Sequence, residues 1–207
     1  MPSSAFQQRS VRLLFICGIV ALAVAGFAAT QVAGRGPDFH GTLYPDSPPA
    51  PAFTLTDHTG ESRSLSDYEG TTVLLFFGFT NCPDVCPLTL STLARVIESE
   101  GLSPEEVRVL LVTVDPATDT PERLKEYVAS FGPSTVGLTG TPEALQAVQS
   151  GYGVYAVQST DHNGAPSLAH TTQVFGIDRA GRLRVLIHAE NGVDVVRDDL
   201  RQLLRLD

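Results

Sequence analysis

The sequence predicts an α/β domain with a mixed central sheet and helices on both faces, preceded by an N-terminal transmembrane helix. Three observations support this prediction. An uncharged apolar run covers residues 13–33, continuous apolar runs cover residues 71–79 and 107–115, and segments with helix start and stop signals follow those later runs. Continuous apolar runs of this length are typical of strands covered on both faces, and strands that alternate with helices favour a parallel pairing.

Composition limits the classes of partner. The chain has 207 residues, with 14 basic and 23 acidic side chains and a formal net charge of -9. This length suits one domain of ordinary size plus a tail. A surface with such an excess of acid repels phosphate backbones, so we expect no nucleic-acid partner. It suits a basic protein or a cation better.

The N-terminal apolar run predicts a membrane anchor. About 20 apolar residues span a bilayer as a helix, and residues 13–33 meet that length without a charge. Arg9 and Arg12 precede the run, which favours a cytoplasmic tail at residues 1–12. We therefore expect a single-pass membrane protein with its C-terminal domain on the far side of the membrane. A cleaved signal peptide is the alternative.

The folded part begins after a linker. Residues 34–50 are rich in proline and glycine, which predicts a linker, and residues 51–207 then form the domain. Its first element is a short hairpin over residues 53–65. The buried strand at residues 71–79 comes next.

A helix with one apolar stripe follows the first buried strand. The stripe has the spacing i, i+3, i+4, i+7 and consists of Leu90, Leu93, Ala94 and Ile97. Pro87 suits the first helical position, where no backbone N–H is needed. This assignment places Cys86 near the N-cap and Cys82 in the loop before it.

The remaining elements complete a thioredoxin-like plan. They are a strand at 107–115, a helix at 119–132, a strand at 136–140, a helix at 141–153, a strand at 154–158, a loop at 159–169, a hairpin at 170–188 with its turn at 179–181, and a helix at 193–206. The apolar face of the last helix is predicted to be Val195, Leu200, Leu203 and Leu204. A buried strand that leads into a dithiol helix, followed later by an antiparallel hairpin, indicates a thioredoxin-like fold.

Cys82 and Cys86 are the chemical centre of the sequence. In an oxidising compartment such a pair is usually a structural disulfide, but closing so short a loop removes little chain entropy. A helix N-terminus favours the thiolate form, which is both the nucleophile and the metal ligand. Two thiolates suit Cu(I), and an added imidazole gives a site for Cu(I), Cu(II) or zinc. The pair is thus a disulfide switch, a metal clamp, or both.

Five histidines are candidates for the third ligand. His40 in the linker and His58 in a turn are expected to be solvated, and His162 lies in a predicted loop. His188 ends a strand pattern and is expected to be distant from the dithiol. His170 is favoured, because it stands where a loop enters a strand on the edge that faces the dithiol helix in a thioredoxin-like fold.

Asp115 follows the second buried strand, next to the strand that leads to the cysteines. A carboxylate there would orient a ligand or balance the charge of a metal. Alternatively, it only caps the turn that follows. Both interpretations stay open at this point.

Several stretches together resemble the SCO/SenC family of copper chaperones, from about Pro51 to the C-terminus. They are "GFTNCPDVCPLTL", "TVDPATDTPERL", "VGLTG" and "HTTQVFGID". The resemblance implies a membrane-anchored thioredoxin-like protein that binds copper through Cys82, Cys86 and His170. It also implies a role in building the dinuclear copper centre of cytochrome c oxidase. The expected partner is the copper-bearing subunit of that oxidase or another copper carrier.

One residue departs from the family pattern. The histidine is usually preceded by an aspartate, whereas Ala169 precedes His170 here. The resemblance therefore leaves the tuning of the copper site open, and His162, which follows Asp161, is the reserve ligand.

Two functions follow from these residues. The first is a copper chaperone without catalytic turnover, which delivers copper to the oxidase centre, reduces the cysteines of that centre, or does both. The second is a membrane-anchored thiol–disulfide oxidoreductase in which Cys82 attacks and Cys86 resolves the mixed disulfide.

Overall fold

The structure is a computed structural model that describes residue 18 and residues 39–160, 166–170 and 172–206, with the backbone alone at 157–160 and 166–170. The predicted tail, the predicted anchor apart from Gly18, and His162 lie outside these residues. Among the described residues, no helix combines the length and the apolar character needed to cross a membrane.

A mixed sheet of eight strands forms the centre of the domain, in the order β1-β10-β9-β4-β5-β6-β2-β3, and β7 and β8 form a separate hairpin. The strands are β1 Thr42–Leu43, β2 Thr54–Asp57, β3 Ser62–Ser64, β4 Thr72–Gly78, β5 Val107–Thr113, β6 Thr135–Thr139, β7 Ala156–Thr160, β8 Pro166–His170, β9 Val174–Ile177 and β10 Leu183–Ile187. Strands β4, β5 and β6 are parallel, and the other pairings are antiparallel. The predicted mixed sheet is confirmed.

Four helices are described: α1 Val85–Ser99, α2 Pro121–Val128, α3 Pro142–Gly151 and α4 Val193–Leu203. Two of them begin as their sequences predict. The Thr120 side chain accepts a hydrogen bond from the Arg123 N–H, and Thr141 does the same for the Ala144 N–H. In both helices a proline follows the cap, where its missing N–H removes no helical hydrogen bond.

Three helices share one face of the sheet. Two helices pack closely against glycines of the sheet on that face. A Cβ added at Gly137 would lie 3.0 Å from Leu124 in α2, and one added at Gly176 would lie 3.0 Å from Leu203 in α4. Gly78 lies on the same face, since the pairing register puts these glycines in matching rows. Helix α1 covers Gly78, so α1, α2 and α4 form one layer.

An aromatic cluster covers the opposite face. The ring of Phe77 in β4 lies 5.7 Å from Tyr152, the residue after α3, and 5.8 Å from Phe175 in β9, and Tyr152 and Phe175 are 5.2 Å apart. Tilted and edge-on pairs of this kind contribute about 0.5–1.5 kcal/mol each beyond burial. The predicted presence of helices on both faces is confirmed.

Part of the segment predicted as a linker forms a strand. β1 pairs with β10 at the edge of the sheet, and the buried carboxylate of Asp199 in α4 accepts hydrogen bonds from the N–H groups of His40 and Gly41 at 2.7 and 3.0 Å. Burial raises the pKa of Asp199, and these two bonds oppose the shift. The chain from residue 39 onward is therefore fastened to the domain.

Three predicted details are wrong. The stretch predicted as a loop at 159–169 contains β8, whose residues show no clear alternation but pair along the whole of β7. Helix α1 begins at Val85, so Pro87 is its third residue rather than its first. In α4, Val196 is fully buried rather than Val195, because Val196 shares a helical face with Leu200 and Leu203.

Candidate metal centre

The two cysteines converge where β4 leads into α1. Cys86 is completely buried in the first turn of the helix, Cys82 lies partly exposed in the preceding loop, and both are thiols. The Cys86 N–H donates a hydrogen bond to the Cys82 sulfur at 3.4 Å. The first N–H groups of a helix have no partner within it, so the loop sulfur fills that position.

Close packing against β4 holds the Cys86 sulfur. An added Cβ at Gly78 would lie 3.0 Å from this sulfur, 2.9 Å from the Phe76 ring and 3.2 Å from Leu111. Glycine at this position is therefore what allows the sulfur to rest on the sheet. The bulky neighbours also exclude water from it.

Burial changes the acid–base chemistry expected of the pair. The pKa of the Cys86 thiol lies far above its ordinary value, because the hydrogen bond to Cys82 and then burial raise it. A backbone hydrogen bond with Phe79 lowers the pKa but offsets only part of this shift. The hydrogen bond to Cys82 and then burial therefore both oppose the expectation, drawn from the helix N-terminus, of a thiolate at Cys86. A metal cation bound by the sulfur would reverse this balance, since a coordinating thiol loses its proton.

A buried carboxylate that sequence reasoning missed organises the loop. Asp119 has no exposed surface. Its Oδ1 accepts a hydrogen bond from the Thr80 hydroxyl at 2.5 Å. The Thr80 N–H is shared by both carboxylate oxygens, at 3.3 Å from Oδ1 and 3.1 Å from Oδ2. Asp119 also accepts a hydrogen bond from the Thr113 hydroxyl at the end of β5, at 2.6 Å. Asp119 thereby joins the loop before Cys82 to the neighbouring strand.

Arg123 in α2 holds the same loop from its outer side. Its Nε donates to the Thr80 hydroxyl at 2.7 Å, and its terminal nitrogen donates to the Asn81 side-chain oxygen at 2.5 Å. Both residues that precede Cys82 are therefore hydrogen-bonded through their side chains.

Asp115, considered above as the neighbour of a metal ligand, lies in the turn after β5, and that role stays a prediction. Its carbonyl oxygen accepts hydrogen bonds from the N–H groups of Thr118 and Asp119, and its own N–H donates to the Thr113 hydroxyl. Within the described part of the chain, no hydrogen bond or ion pair reaches its carboxylate. Its backbone shapes the turn, and the carboxylate that contacts the dithiol loop belongs to Asp119.

Tyr127 places a further polar atom near the cysteines. Its hydroxyl is buried and has no hydrogen-bond partner among the residues that the structure describes. Tyr127 follows Arg123 by one helical turn, so it lies on the same side of α2. Burial, followed by the nearby charges of Cys86, Cys82 and Asp119, raises the pKa of this phenol.

The histidine that the sequence favours is described by its backbone. His170 ends β8 and pairs with Ala156 in β7. Among the side chains that the structure describes, no group of three His, Cys, Asp or Glu residues is arranged to hold a metal. Neither His170 nor His162 belongs to that set, so the predicted ligand set of Cys82, Cys86 and His170 stays a prediction.

The other described histidines have local roles. His40 is exposed and lies 3.7 Å from Asp198. His58 is half-buried rather than solvated, because its Nδ1 accepts a hydrogen bond from the Gly137 N–H at 3.2 Å.

His188 follows β10 and lies 3.4 Å from Glu190. Strands β10 and β4 end at the same edge of the sheet with β9 between them. Their backbones are therefore separated by two strand spacings, or about 10 Å.

Comparison with known proteins places this geometry in a family. The sequence pattern of the SCO1/SenC family matches residues 44–205. The chain belongs to the SCO1/SenC family. Its match to the family covers the central sheet except β1, together with all four helices and the dithiol loop.

Individual relatives agree with this assignment. A Stutzerimonas stutzeri protein, provisionally named as copper-binding, is 34% identical over 163 residues, which cover 78% of this chain and 80% of the relative. The human mitochondrial SCO1 homologue is 43% identical over 105 residues, which cover 50% of this chain but only 35% of the human protein. The structure of Bradyrhizobium japonicum ScoI with copper bound has 32% identity and a TM-score of 0.67, covering 74% of this chain and 98% of that one.

Proposed function

We propose that the protein binds one copper ion through Cys82, Cys86 and His170 and delivers it to a copper-bearing protein. The observation that carries this proposal is the convergence of two thiols at the first turn of α1, with one sulfur accepting the N–H of the other cysteine. The family relationship adds support, since a related structure contains bound copper.

The residues present suit copper by their chemistry. Two sulfurs and an imidazole form a soft donor set that suits Cu(I), and the imidazole also accommodates Cu(II). The single methionine of the chain is Met1, so a thioether from elsewhere in the sequence has no part in the site. The ion is cargo in this proposal, and the protein acts without catalytic turnover.

The recipient that the family suggests is the dinuclear copper centre of cytochrome c oxidase. We propose that residues 13–33 anchor the protein in a bacterial inner membrane and that the dithiol domain lies in the periplasm. Thiolate sites accept copper only when reduced. For this reason the proposed role includes keeping the recipient's cysteines reduced, and another copper carrier is the alternative recipient. The excess of acidic residues would aid encounter with a basic partner surface.

Copper titration tests the ligand set. The full chain in mild detergent, reduced and anaerobic, is titrated with Cu(I) and with Cu(II) while thiolate-to-copper charge-transfer bands are recorded. We expect one tight copper per chain, loss of binding in Cys82→Ser and Cys86→Ser, and altered Cu(II) bands in His170→Ala. The matched control is His188→Ala, which removes an imidazole that lies beside Glu190.

Two outcomes would count against the proposal. Absence of tight copper in the unsubstituted chain would remove the chaperone role. Tight binding that His170→Ala leaves unchanged would move the third ligand elsewhere, and His162→Ala then tests the reserve candidate.

A second function is favoured by the unequal exposure of the two sulfurs. Cys82 is partly exposed and Cys86 is buried, as expected of an attacking thiol and a resolving thiol. In this role the Cys82 thiolate attacks a partner disulfide, forms a mixed disulfide and releases one partner thiolate. Cys86 then attacks the Cys82 sulfur and releases the second, so the partner gains two electrons and this protein ends as a disulfide.

Trapping separates the two functions. If the redox role dominates, Cys86→Ser accumulates a mixed disulfide with an oxidised partner peptide, Cys82→Ser does not, and His170→Ala reacts as the unsubstituted chain does. If copper delivery is the main role, His170→Ala impairs copper transfer while leaving thiol exchange intact.

A further inference from the structure

We propose that Asp119 is a positioning residue for copper binding, which holds Cys82 over the helix N-terminus by fastening Thr80 to the end of β5. The inference rests on the proposed copper function and adds a residue to it. Asp119 touches neither sulfur in the contacts described above and acts through the two residues that precede Cys82.

The contacts form one continuous chain of hydrogen bonds. Arg123 donates to the Thr80 hydroxyl, Thr80 donates both its hydroxyl and its N–H to Asp119, and Thr113 donates its hydroxyl to the same carboxylate. Thr113 belongs to β5, which is buried and parallel to β4. The loop before Cys82 is thus tied to a buried strand in the middle of the sheet.

The chemistry of Asp119 suits a positioning role. A buried carboxylate is expensive to desolvate and persists only where hydrogen bonds or opposite charges compensate it. Here two hydroxyls and one backbone N–H are directed at it, and two of these three groups belong to Thr80 of the dithiol loop. An apolar side chain would fill the same space without fixing the direction of Thr80.

The consequence for the sulfurs follows from chain geometry. Only Asn81 separates Thr80 from Cys82, and Arg123 holds Asn81. With Thr80 fixed, Cys82 has little freedom other than the orientation in which its sulfur accepts the Cys86 N–H. A pair of ligands already held together binds a metal with less loss of conformational freedom, so release of Thr80 should weaken copper binding in a folded protein.

The test compares two buried aspartates. Asp119→Asn keeps the size of the side chain but replaces one carboxylate oxygen by an NH2 group, which accepts no hydrogen bond, so the side chain cannot keep all its bonds to Thr80 and Thr113. Asp178→Asn is the matched control, because the Asp178 carboxylate is also buried and accepts hydrogen bonds from Ala180, Arg182 and Arg184, at the end of the sheet opposite to the dithiol. Each full-length variant in detergent is assayed for Cu(I) affinity, by competition with a chromophoric Cu(I) chelator, and for unfolding by guanidinium.

Loss of a partner that orients a metal ligand typically weakens binding by about 10–100-fold. We expect a decrease of that size for Asp119→Asn at a guanidinium concentration where the variant is fully folded, and none for Asp178→Asn. If Asp119→Asn fails to fold, Thr80→Val is the second variant. It removes the hydroxyl that bonds to Asp119 and Arg123 but keeps the Thr80 N–H bond to Asp119. Thr80→Ser should then restore the affinity that Thr80→Val loses.

The possible outcomes are distinct. If Asp119→Asn and Thr80→Val unfold more easily yet bind Cu(I) as the unsubstituted chain does, Asp119 is only a stabilising residue and the inference is wrong. If the unsubstituted chain binds no Cu(I), the proposed function itself fails. An equal loss in Asp178→Asn would assign the effect to general destabilisation rather than to the hydrogen bonds of Asp119, and the inference would be wrong.

Discussion

Replacing Gly78 by alanine should separate the sulfur of Cys86 from the sheet. The added methyl group would lie 3.0 Å from this sulfur, 2.9 Å from the Phe76 ring and 3.2 Å from the Leu111 side chain. All three neighbours are completely buried, so none can move aside without displacing others. Because Cys86 is a side chain at the first turn of a helix, it is the neighbour most able to shift.

The magnitude follows from two opposing terms. Overpacking a close-packed core costs about 1–3 kcal/mol. Replacing glycine by alanine restricts the unfolded chain and stabilises the folded one by about 0.4–1 kcal/mol. We therefore expect Gly78→Ala to lower the free energy of unfolding by about 1–2 kcal/mol and to weaken Cu(I) binding, because the sulfur pair is displaced.

The assay uses guanidinium unfolding, followed by far-ultraviolet circular dichroism because the chain has no tryptophan, and Cu(I) competition under folded conditions. Gly137→Ala is the matched control. Its methyl group would lie 3.0 Å from Leu124 and 3.2 Å from Val128, on the same face of the sheet but against α2. It should destabilise the fold to a similar extent and leave Cu(I) affinity unchanged. A Gly78→Ala protein that is as stable as the unsubstituted chain, with unaltered affinity, would refute this account of the packing.

Three further substitutions test other features. Tyr127→Phe removes a buried hydroxyl that has no partner among the described residues, so the free energy of unfolding should rise by about 1 kcal/mol. A lower free energy of unfolding, measured with guanidinium, would show that the hydroxyl has a partner and would contradict this prediction. Asp57 is buried, which raises its pKa, but hydrogen bonds from Thr59, Arg63 and the Glu61 N–H outweigh burial and hold the pKa well below 3.8. A pKa that is lowered in the folded state contributes stability at pH values above the unfolded pKa, and this stability is lost as the pH falls below about 4. Asp57→Asn should therefore be less stable than the unsubstituted chain at pH 7 and should lose less stability on acidification. Free energies of unfolding that run parallel for the two proteins from pH 7 to pH 2 would contradict this. Thr141→Ala removes the cap of α3 and should lower the free energy of unfolding by about 1 kcal/mol, without any change in Cu(I) binding.

Features set by local sequence were predictable. The continuous apolar runs predicted β4 and β5, because strands buried on both faces need apolar residues at every position. The Thr-Pro-Glu starts predicted α2 and α3, since capping depends on residues that are neighbours in the chain. The dithiol and its place at the start of a helix were visible for the same reason.

Features set by tertiary packing were not predictable. Asp119 reads as part of a helix start, and only the meeting of the β4 loop with the end of β5 turns its carboxylate inward. Asp199 in α4 is buried because it accepts the N–H groups of His40 and Gly41, a long-range contact that no apolar pattern shows. The raised pKa of the Cys86 thiol reflects first its hydrogen bond to Cys82 and then its burial, and the burial depends on the residues packed around it.

The unequal burial of the two sulfurs imposes a direction on any exchange of ligands. Cys86 has no exposed surface and rests on Gly78, whereas Cys82 is open to solvent on one side. An incoming thiol, or an ion carried by another protein, therefore meets Cys82 first, and Cys86 is the last sulfur to release what the pair holds. In the proposed copper function, donor and recipient would both approach the exposed side of Cys82, and would therefore do so in turn.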